Sequence, residues 1–186
     1  MATIWYFSHH GETMVDGLPE TVEQGNTEIV AHIINQCLST QIVPIEPKDP
    51  YPKSFEQTLI RARKEHEQSS LPEYQAVPKD NLAENIWFIG YPDWFGRLPR
   101  LVASFLTDND TSGKLILPFS THEGSSMGTS QLEIQDLCPQ AIVKQGLPVR
   151  GCHAASSQRA VQNWLVQYYC GLEQLTTSEE RTSLND

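Results

Sequence analysis

The chain has 186 residues, 39% of them hydrophobic, and a formal net charge of -10. That length suits one domain, with a core large enough to stand without disulfides or metal. The acidic balance argues against a general nucleic-acid or anionic-membrane binder, because such proteins present basic faces. It suits solubility, or a basic protein partner met through electrostatic steering. No apolar run is long enough to cross a bilayer, and the first residues lack the basic and apolar regions of a signal peptide, so the sequence predicts a cytoplasmic protein. Cys37, Cys138, Cys152 and Cys170 are scattered without a CxxC pair and read as small buried hydrophobes or free thiols.

Strand and helix signals alternate along the chain. "ATIWYFS" (2–8) reads as a short aromatic-rich strand. Residues 26–38 form an amphipathic helix, with Ile29, Ile33 and Cys37 on one row and Val30, Ile34 and Leu38 on the next. "QIVPIEP" is a second strand, and its Pro44 removes a ladder donor, which places it at a sheet edge. "KDPYPKS" is a turn cluster, 54–67 a charged surface helix and 71–81 a proline-rich connection. "NIWFIGY" (85–91) is almost continuously apolar and reads as a central parallel strand. A helix over 98–106 follows, with Pro99 in its first turn. "KLILPFS" is another central strand, 130–137 a helix, "AIVKQGLPV" the last strand region and 155–169 the closing helix. This alternation predicts an open parallel sheet with helices on both faces. The single domain spans 1–170, and the polar segment 171–186 reads as a loose tail.

In such folds the ligand sits outside the carboxyl ends of the strands. Three loops there carry unusual residues. The first ends in Gly25, Asn26 and Thr27 at the start of a helix, where free N–H groups and the helix dipole favour an anion. Asn and Thr are equally good ordinary N-caps, so the stretch alone does not separate the two uses. No Lys or Arg lies between Ser8 and Thr27, and the lysine signature of a P-loop is absent. The second loop, "GYPDWFGRLPR", places Trp94 beside Phe95; such rings stack on a flat ligand, face a partner or cover the sheet end. The third, "STHEGSSMGTS", offers backbone donors and acceptors to a planar heterocycle, or is an ordinary flexible connection. Together they make an anion holder, an aromatic wall and a polar edge.

The three loops resemble those of the flavodoxin-like family, and a bacterial branch of it in particular. "YFS" (6–8), "GNTE" (25–28), "DPYP" (49–52), "GYPDWFG" (90–96) and "THEGS" (121–125) match that branch in order, as does "GLPVRGCHAASSQRAVQNWL" (146–165). The resemblance covers nearly the whole domain. It implies a three-layer sandwich whose five-stranded parallel sheet has the order 2-1-3-4-5. It also implies bound FMN, and an electron-transfer function in which the flavin cycles between oxidised, semiquinone and hydroquinone forms. By position, Ser8, His9, Gly25, Asn26 and Thr27 would meet around the FMN phosphate. Pro92, Asp93, Trp94, Phe95 and Gly96 would flank the isoalloxazine, and Thr121, His122, Glu123 and Gly124 would line its other side. A backbone group near 94–96 would tune the flavin at N5. The stretch "HHGETMVDGLPETVEQ" is an insertion between the serine and the "GNT", with a turn-prone Asp16-Gly17 pair suited to a hairpin. Relatives often carry glycine at Glu123 and a second tryptophan at Phe95. Glu123 would then put negative charge near the ring and lower its potential, unless it points to solvent.

Rival readings rest on less. Gly124 to Gly128 fits the G-x-S-x-G pattern of a serine hydrolase around Ser126, with Asp136 and His153 following in chain order. The elbow should sit tight against its strand, whereas 120–123 intervene. A phospho-acceptor receiver domain would want acids where His9 and His10 stand. Adjacent histidines in a strand point to opposite faces, which argues against a metal shared by His9, His10 and His122. Within the flavin reading, an electron carrier docking to redox proteins, basic ones above all, stands beside an FMN-dependent NAD(P)H:quinone-type reductase. The compact length favours the carrier.

Overall fold

The computed structural model describes residues 2–15 and 17–169. Asp16 of the expected hairpin turn, Cys170 and the segment 171–186 lie outside the described residues. Strand β1 (Ala2–Tyr6) is followed by the antiparallel pair β2 (Gly11–Val15) and β3 (Leu18–Val22), then by helix α1 (Asn26–Leu38). Next come β4 (Gln41–Pro44), α2 (Phe55–Glu67), the single turn α3 (Lys79–Leu82) and β5 (Ile86–Pro92). The chain continues through α4 (Arg100–Asp108), β6 (Leu115–His122), α5 (Ser130–Leu137), β7 (Ile142–Val143) and β8 (Leu147–Arg150). A 3-10 segment (Gly151–Ser156) leads into α6 (Gln158–Trp164). None of these helices is long and apolar enough to cross a membrane.

The main sheet is parallel throughout, in the order β4-β1-β5-β6, with both β7 and β8 on the far side of β6. The expected order 2-1-3-4-5 holds, but the fifth position is shared by two strands, giving six where five were expected. Pro118 explains the break. Lys114 and Ile116 accept bonds from the Ile142 and Lys144 N–H groups at 2.8 and 2.9 Å, so Pro118, two residues on, faces the same neighbour. Proline has no N–H to give a partner strand. The chain steps away there: the Gly146 N–H donates to Gln131 Oε1 at 2.8 Å, and pairing resumes with Leu147 opposite Phe119. Proline-bearing β4 pairs with β1 alone and forms the opposite edge.

Alternation along the strands builds two cores. Ile4, Phe88, Leu117 and Phe119 join residues of α1 and α6 on one face, while Trp5, Trp87, Ile89 and Ile116 join those of α4 and α5 on the other. Trp5, Trp87 and Phe105 are fully buried, with ring centroids 4.9 to 5.7 Å apart. Burying a large apolar side chain contributes about 1.5–3 kcal/mol, and a ring pair about 0.5–1.5 kcal/mol more. Two helix boundaries move from their expected places. Pro99 is the N-cap of α4 and not a first-turn residue, since its ψ of 136° is extended. The closing helical stretch starts earlier, as the 3-10 segment, in which the Ser157 hydroxyl donates to the Ala154 carbonyl at 2.8 Å.

Because β1, β5 and β6 run parallel, their carboxyl ends at Tyr6, Pro92 and His122 lie along one edge. The three unusual loops leave the sheet there.

Candidate functional site

The first loop closes on itself across the insertion. Gly25 caps α1 and packs directly on the end of β1: a Cβ there would lie 2.2 Å from the His9 carbonyl oxygen and 2.3 Å from Ser8 Oγ. Ser8 Oγ accepts the Glu28 N–H at 3.2 Å, so serine and helix start do meet, although 16 residues separate Ser8 from Gly25. Gly25 gives no side-chain cap, which leaves the first N–H groups of α1 for another acceptor. Thr27 is 1% exposed, and its hydroxyl is bonded to that of Thr121 at 2.7 Å. It ties the first loop to the third.

In the second loop the Arg97 N–H donates to the Trp94 carbonyl at 3.1 Å, closing a four-residue turn. Its central residues, Phe95 and Gly96, have φ of 60° and 72°, the pattern of a type I′ turn. Positive φ in a bulky residue is strained, and such strain collects at ligand clamps. The turn sends the two rings apart. Trp94 folds inward, 5.5 Å from Phe7 and 5.3 Å from Tyr51, while Phe95 is 46% exposed under the Arg63 guanidinium.

Asp93 joins the second loop to the third. Its N–H donates to the Thr121 carbonyl at 2.8 Å, and Ser125 Oγ donates to its Oδ1 at 2.6 Å. Burial pushes the Asp93 carboxyl above its ordinary range, against the downward pull of Ser125, the Gly96 N–H and Ser130. Asp93 Oδ2 and His122 Nδ1 are buried without a hydrogen bond. Each such atom costs about 1–3 kcal/mol. Glu123 lines the cleft and also comes close to Gly151, where an ideal Cβ would lie 2.2 Å from Glu123 Oε1 and 2.5 Å from Asn26 Nδ2.

The insertion forms the β2–β3 hairpin, and Gly17, with φ of 85°, supplies the described half of its turn. The hairpin is fastened to the start of α2. The Glu12 N–H donates to the Lys53 carbonyl at 2.7 Å, and Glu12 Oε2 accepts the Phe55 N–H at 3.0 Å. β2 also touches the 3-10 segment, so the hairpin spans the mouth from α2 to Gly151–Ser156. His9 stands beneath it. Its Nε2 lies 2.9 Å from the Pro52 carbonyl, which can only accept, so Nε2 carries the proton.

These parts enclose a cleft of about 240 Å³. Most of the expected site residues line it: His9, Asn26 and Thr27, the run Pro92 to Phe95, and Thr121 to Gly124. Ser8 and Gly25 stand behind the helix start, and Gly96 shapes the turn. The sequence reading missed Glu12, Thr13, Phe55, Thr58, Leu59 and Ser125, which form the remaining wall. No sequence signal pairs the insertion with α2. The rival serine constellation is not assembled, since no hydrogen bond joins Ser126, Asp136 and His153. Ser126 instead lends its carbonyl to Ser120 Oγ at 3.1 Å. Among the described residues no cluster could hold a metal ion.

The cleft walls hold carboxylates but no lysine or arginine. Burial lowers the pKa of His9 and His122 below the ordinary 6.5, at His9 against the upward pull of the Pro52 carbonyl and with a smaller push from His10, and at His122 with help from Arg150. Both imidazoles are therefore neutral near pH 7. A base with a depressed folded pKa stabilises the fold above its unfolded value of about 6.5, and that stabilisation is lost as pH falls through the folded pKa. The expected result is a His9 ring resonance titrating below 6.5 and a share of the folding free energy that declines on acidification. A His9 midpoint at or above 6.5, read by NMR, would contradict the buried neutral ring.

A parallel α/β sheet with a ligand cleft at its carboxyl edge, walled by an open helix start, an aromatic turn and a polar loop, defines a nucleotide-type ligand binder of the doubly wound class. The family model described as flavodoxin matches residues 21–168, and the chain belongs to that family. Among solved structures it is similar to a Bacteroides eggerthii DSM 20697 protein assigned as a flavoprotein, at 23% identity and a TM-score of 0.71, over 88% of this chain and 94% of that one. It is also similar to a flavoprotein in complex with FMN from Lactobacillus acidophilus NCFM, at 17% identity and a TM-score of 0.62, over 88% and 97% of the two chains. A short-chain flavodoxin associated with a bacterial microcompartment matches at 14% identity and a TM-score of 0.50, over 90% and 97%. These likenesses establish the fold. No curated protein matches the chain.

Proposed function

We propose that the protein binds FMN in this cleft and serves as an electron carrier. The observation that carries the reading is the convergence of Asn26 and Thr27, Pro92 to Phe95, and Thr121 to Ser125 on one cleft. Family membership and the FMN-bound Lactobacillus relative support it. The residues suit the ligand. The uncapped start of α1, with Ser8 Oγ beside it, offers donors to a phosphate. Trp94 offers a ring wall, and the unpaired Asp93 Oδ2 and His122 Nδ1 mark the walls where a polar heterocycle edge belongs. When bound, the flavin supplies the chemistry, taking and giving electrons at its ring system. The chain's own residues bind and orient it: Gly25 brings β1 and α1 together, the Thr27–Thr121 bond fixes the spacing of phosphate and ring loops, and the hairpin excludes water from the mouth.

Exposed Phe95 and Gly124 stand at the rim where a redox partner would approach. The net charge of -10 favours a basic partner. An NAD(P)H:quinone-type reductase is the second reading, favoured by the partly apolar wall of Phe55 and Leu59 that the flavin loops do not account for. The first test is the visible spectrum of purified protein before and after FMN addition. A flavin band that shifts on binding, with FMN recovered on denaturation, is the expected result. A protein that leaves the FMN spectrum unchanged at high concentration would end the reading. Steady-state turnover of NAD(P)H with a quinone would then separate reductase from carrier.

A further inference from the structure

The turn "DPYP" (49–52) belongs to none of the three loops, yet it stands directly behind two walls of the cleft. The Tyr51 ring lies 5.3 Å from Trp94 and 5.2 Å from Phe7. The Pro52 carbonyl accepts from His9 Nε2 at 2.9 Å and from Thr58 Oγ1 at 2.6 Å. One face of α2 grips this turn, because Thr58, Arg61 and Glu65 follow at spacings of three and four residues. Arg61 Nη1 and Nη2 donate to the carbonyls of Pro50 and Asp49 at 2.9 and 3.0 Å, and its Nε donates to Glu65 Oε1 at 2.8 Å. The Tyr51 hydroxyl donates to Glu65 Oε2 at 2.7 Å, and the Arg61 guanidinium lies 4.1 Å over the Tyr51 ring. Glu65 is 8% exposed and is not among the residues that line the cleft. A buried carboxylate is costly unless it is paired and hydrogen-bonded. Both oxygens of Glu65 are used, one on Arg61 and one on Tyr51, so the carboxylate ties the helix to the ring.

We propose that Glu65 is a positioning residue of the flavin site, acting through the Tyr51 hydroxyl on the Trp94 ring. The inference rests on the flavin reading above. Trp94 lines the cleft, and Tyr51 packs against it from behind. Without Glu65 the Tyr51 hydroxyl loses its acceptor, and an unpaired buried hydroxyl favours a shift of its ring toward water. Trp94 follows, because rings in contact hold preferred tilts and separations. A wall ring fixed before the ligand arrives needs no ordering when it binds, so the Glu65–Tyr51 bond adds to affinity without touching the ligand.

The test is FMN titration, read by flavin fluorescence, together with urea unfolding of Tyr51→Phe, Glu65→Ala, Glu65→Gln and the double variant Tyr51→Phe with Glu65→Ala. Tyr51→Phe and Glu65→Ala should each bind FMN about tenfold more weakly than wild type. The double variant should also lie near tenfold and not near a hundredfold, because two residues acting in series do not add. Glu65→Gln keeps a carbonyl acceptor for the hydroxyl and should recover most of the affinity. In NMR spectra of the ligand-free proteins, the Trp94 indole N–H should move in Tyr51→Phe and Glu65→Ala alike. Lower unfolding midpoints with unchanged FMN affinity and an unmoved Trp94 resonance would overturn the proposal and leave Glu65 a support of the fold alone. Additive losses in the double variant would overturn it too, since Glu65 would then act on the cleft by a route that bypasses Tyr51. Failure of the wild type to bind FMN would instead end the flavin reading, and this inference with it.

Discussion

Gly25→Ala is expected to destabilise the fold by about 1–3 kcal/mol and to weaken FMN binding by about a hundredfold or more. The backbone at Gly25 is extended, with φ of -75° and ψ of 152°, so the substitution carries no conformational penalty and the whole effect is steric. The added methyl would sit 2.2 Å from the His9 carbonyl oxygen and 3.0 Å from its carbon. That carbonyl cannot rotate away cheaply. The chain before it is pinned in the sheet, where the Phe7 N–H donates to the Gly90 carbonyl at 2.9 Å. The other close atom, Ser8 Oγ, holds the Glu28 N–H. Relief must come from α1 moving off the end of β1, which opens the donor set that a phosphate needs. Gly124→Ala is the control for stability alone, since nothing lies within 4 Å of a Cβ there. Urea unfolding of the ligand-free proteins and FMN titration measure both effects. A Gly25→Ala variant with unchanged midpoint and affinity would show that β1 and α1 are not in obligatory contact.

The same contact shows how much of the molecule is legible in its residues. Helix α1 is readable to its ends, because Gly-Asn-Thr opens it and two apolar rows run through to Leu38. β5 and β6 are readable because strands buried on both faces need continuous apolar sequence. The split of the last strand is not, since it depends on Pro118 facing a neighbour across the sheet and on a Gln131 side chain holding Gly146. Of the site, the three loops are legible by type and position. The approach of Glu123 to Gly151 is not, because it joins two positions 28 residues apart that share no pattern. The Glu12–Phe55 bond that fastens the hairpin is equally invisible: 43 residues separate two ordinary positions with no shared pattern.

Trp94→Ala should cost about 2–4 kcal/mol of stability and about a hundredfold in FMN affinity, whereas Phe95→Ala should change stability by less than about 0.5 kcal/mol. Adjacent in sequence, the two rings differ because the turn at Phe95–Gly96 sends them opposite ways. Trp94 meets Phe7 edge-on at 5.5 Å, Tyr51 at 5.3 Å and the His9 ring at 6.1 Å. Its removal leaves a void in that cluster, because Tyr51 cannot swing into the gap. The Tyr51 hydroxyl donates to buried Glu65 at 2.7 Å, and the Arg61 guanidinium lies 4.1 Å over its ring. Phe95 touches the rim through Arg63, 5.0 Å away, and otherwise faces water. Measuring thermal unfolding and FMN binding for both variants, with Trp94→Phe as a third, separates two roles for the indole. Recovery of stability without affinity in Trp94→Phe would assign the larger ring to the flavin. Recovery of both would reduce Trp94 to a packing residue. Loss of affinity in Phe95→Ala alone would move the flavin contact to the exposed ring, and with it the face that a redox partner must approach.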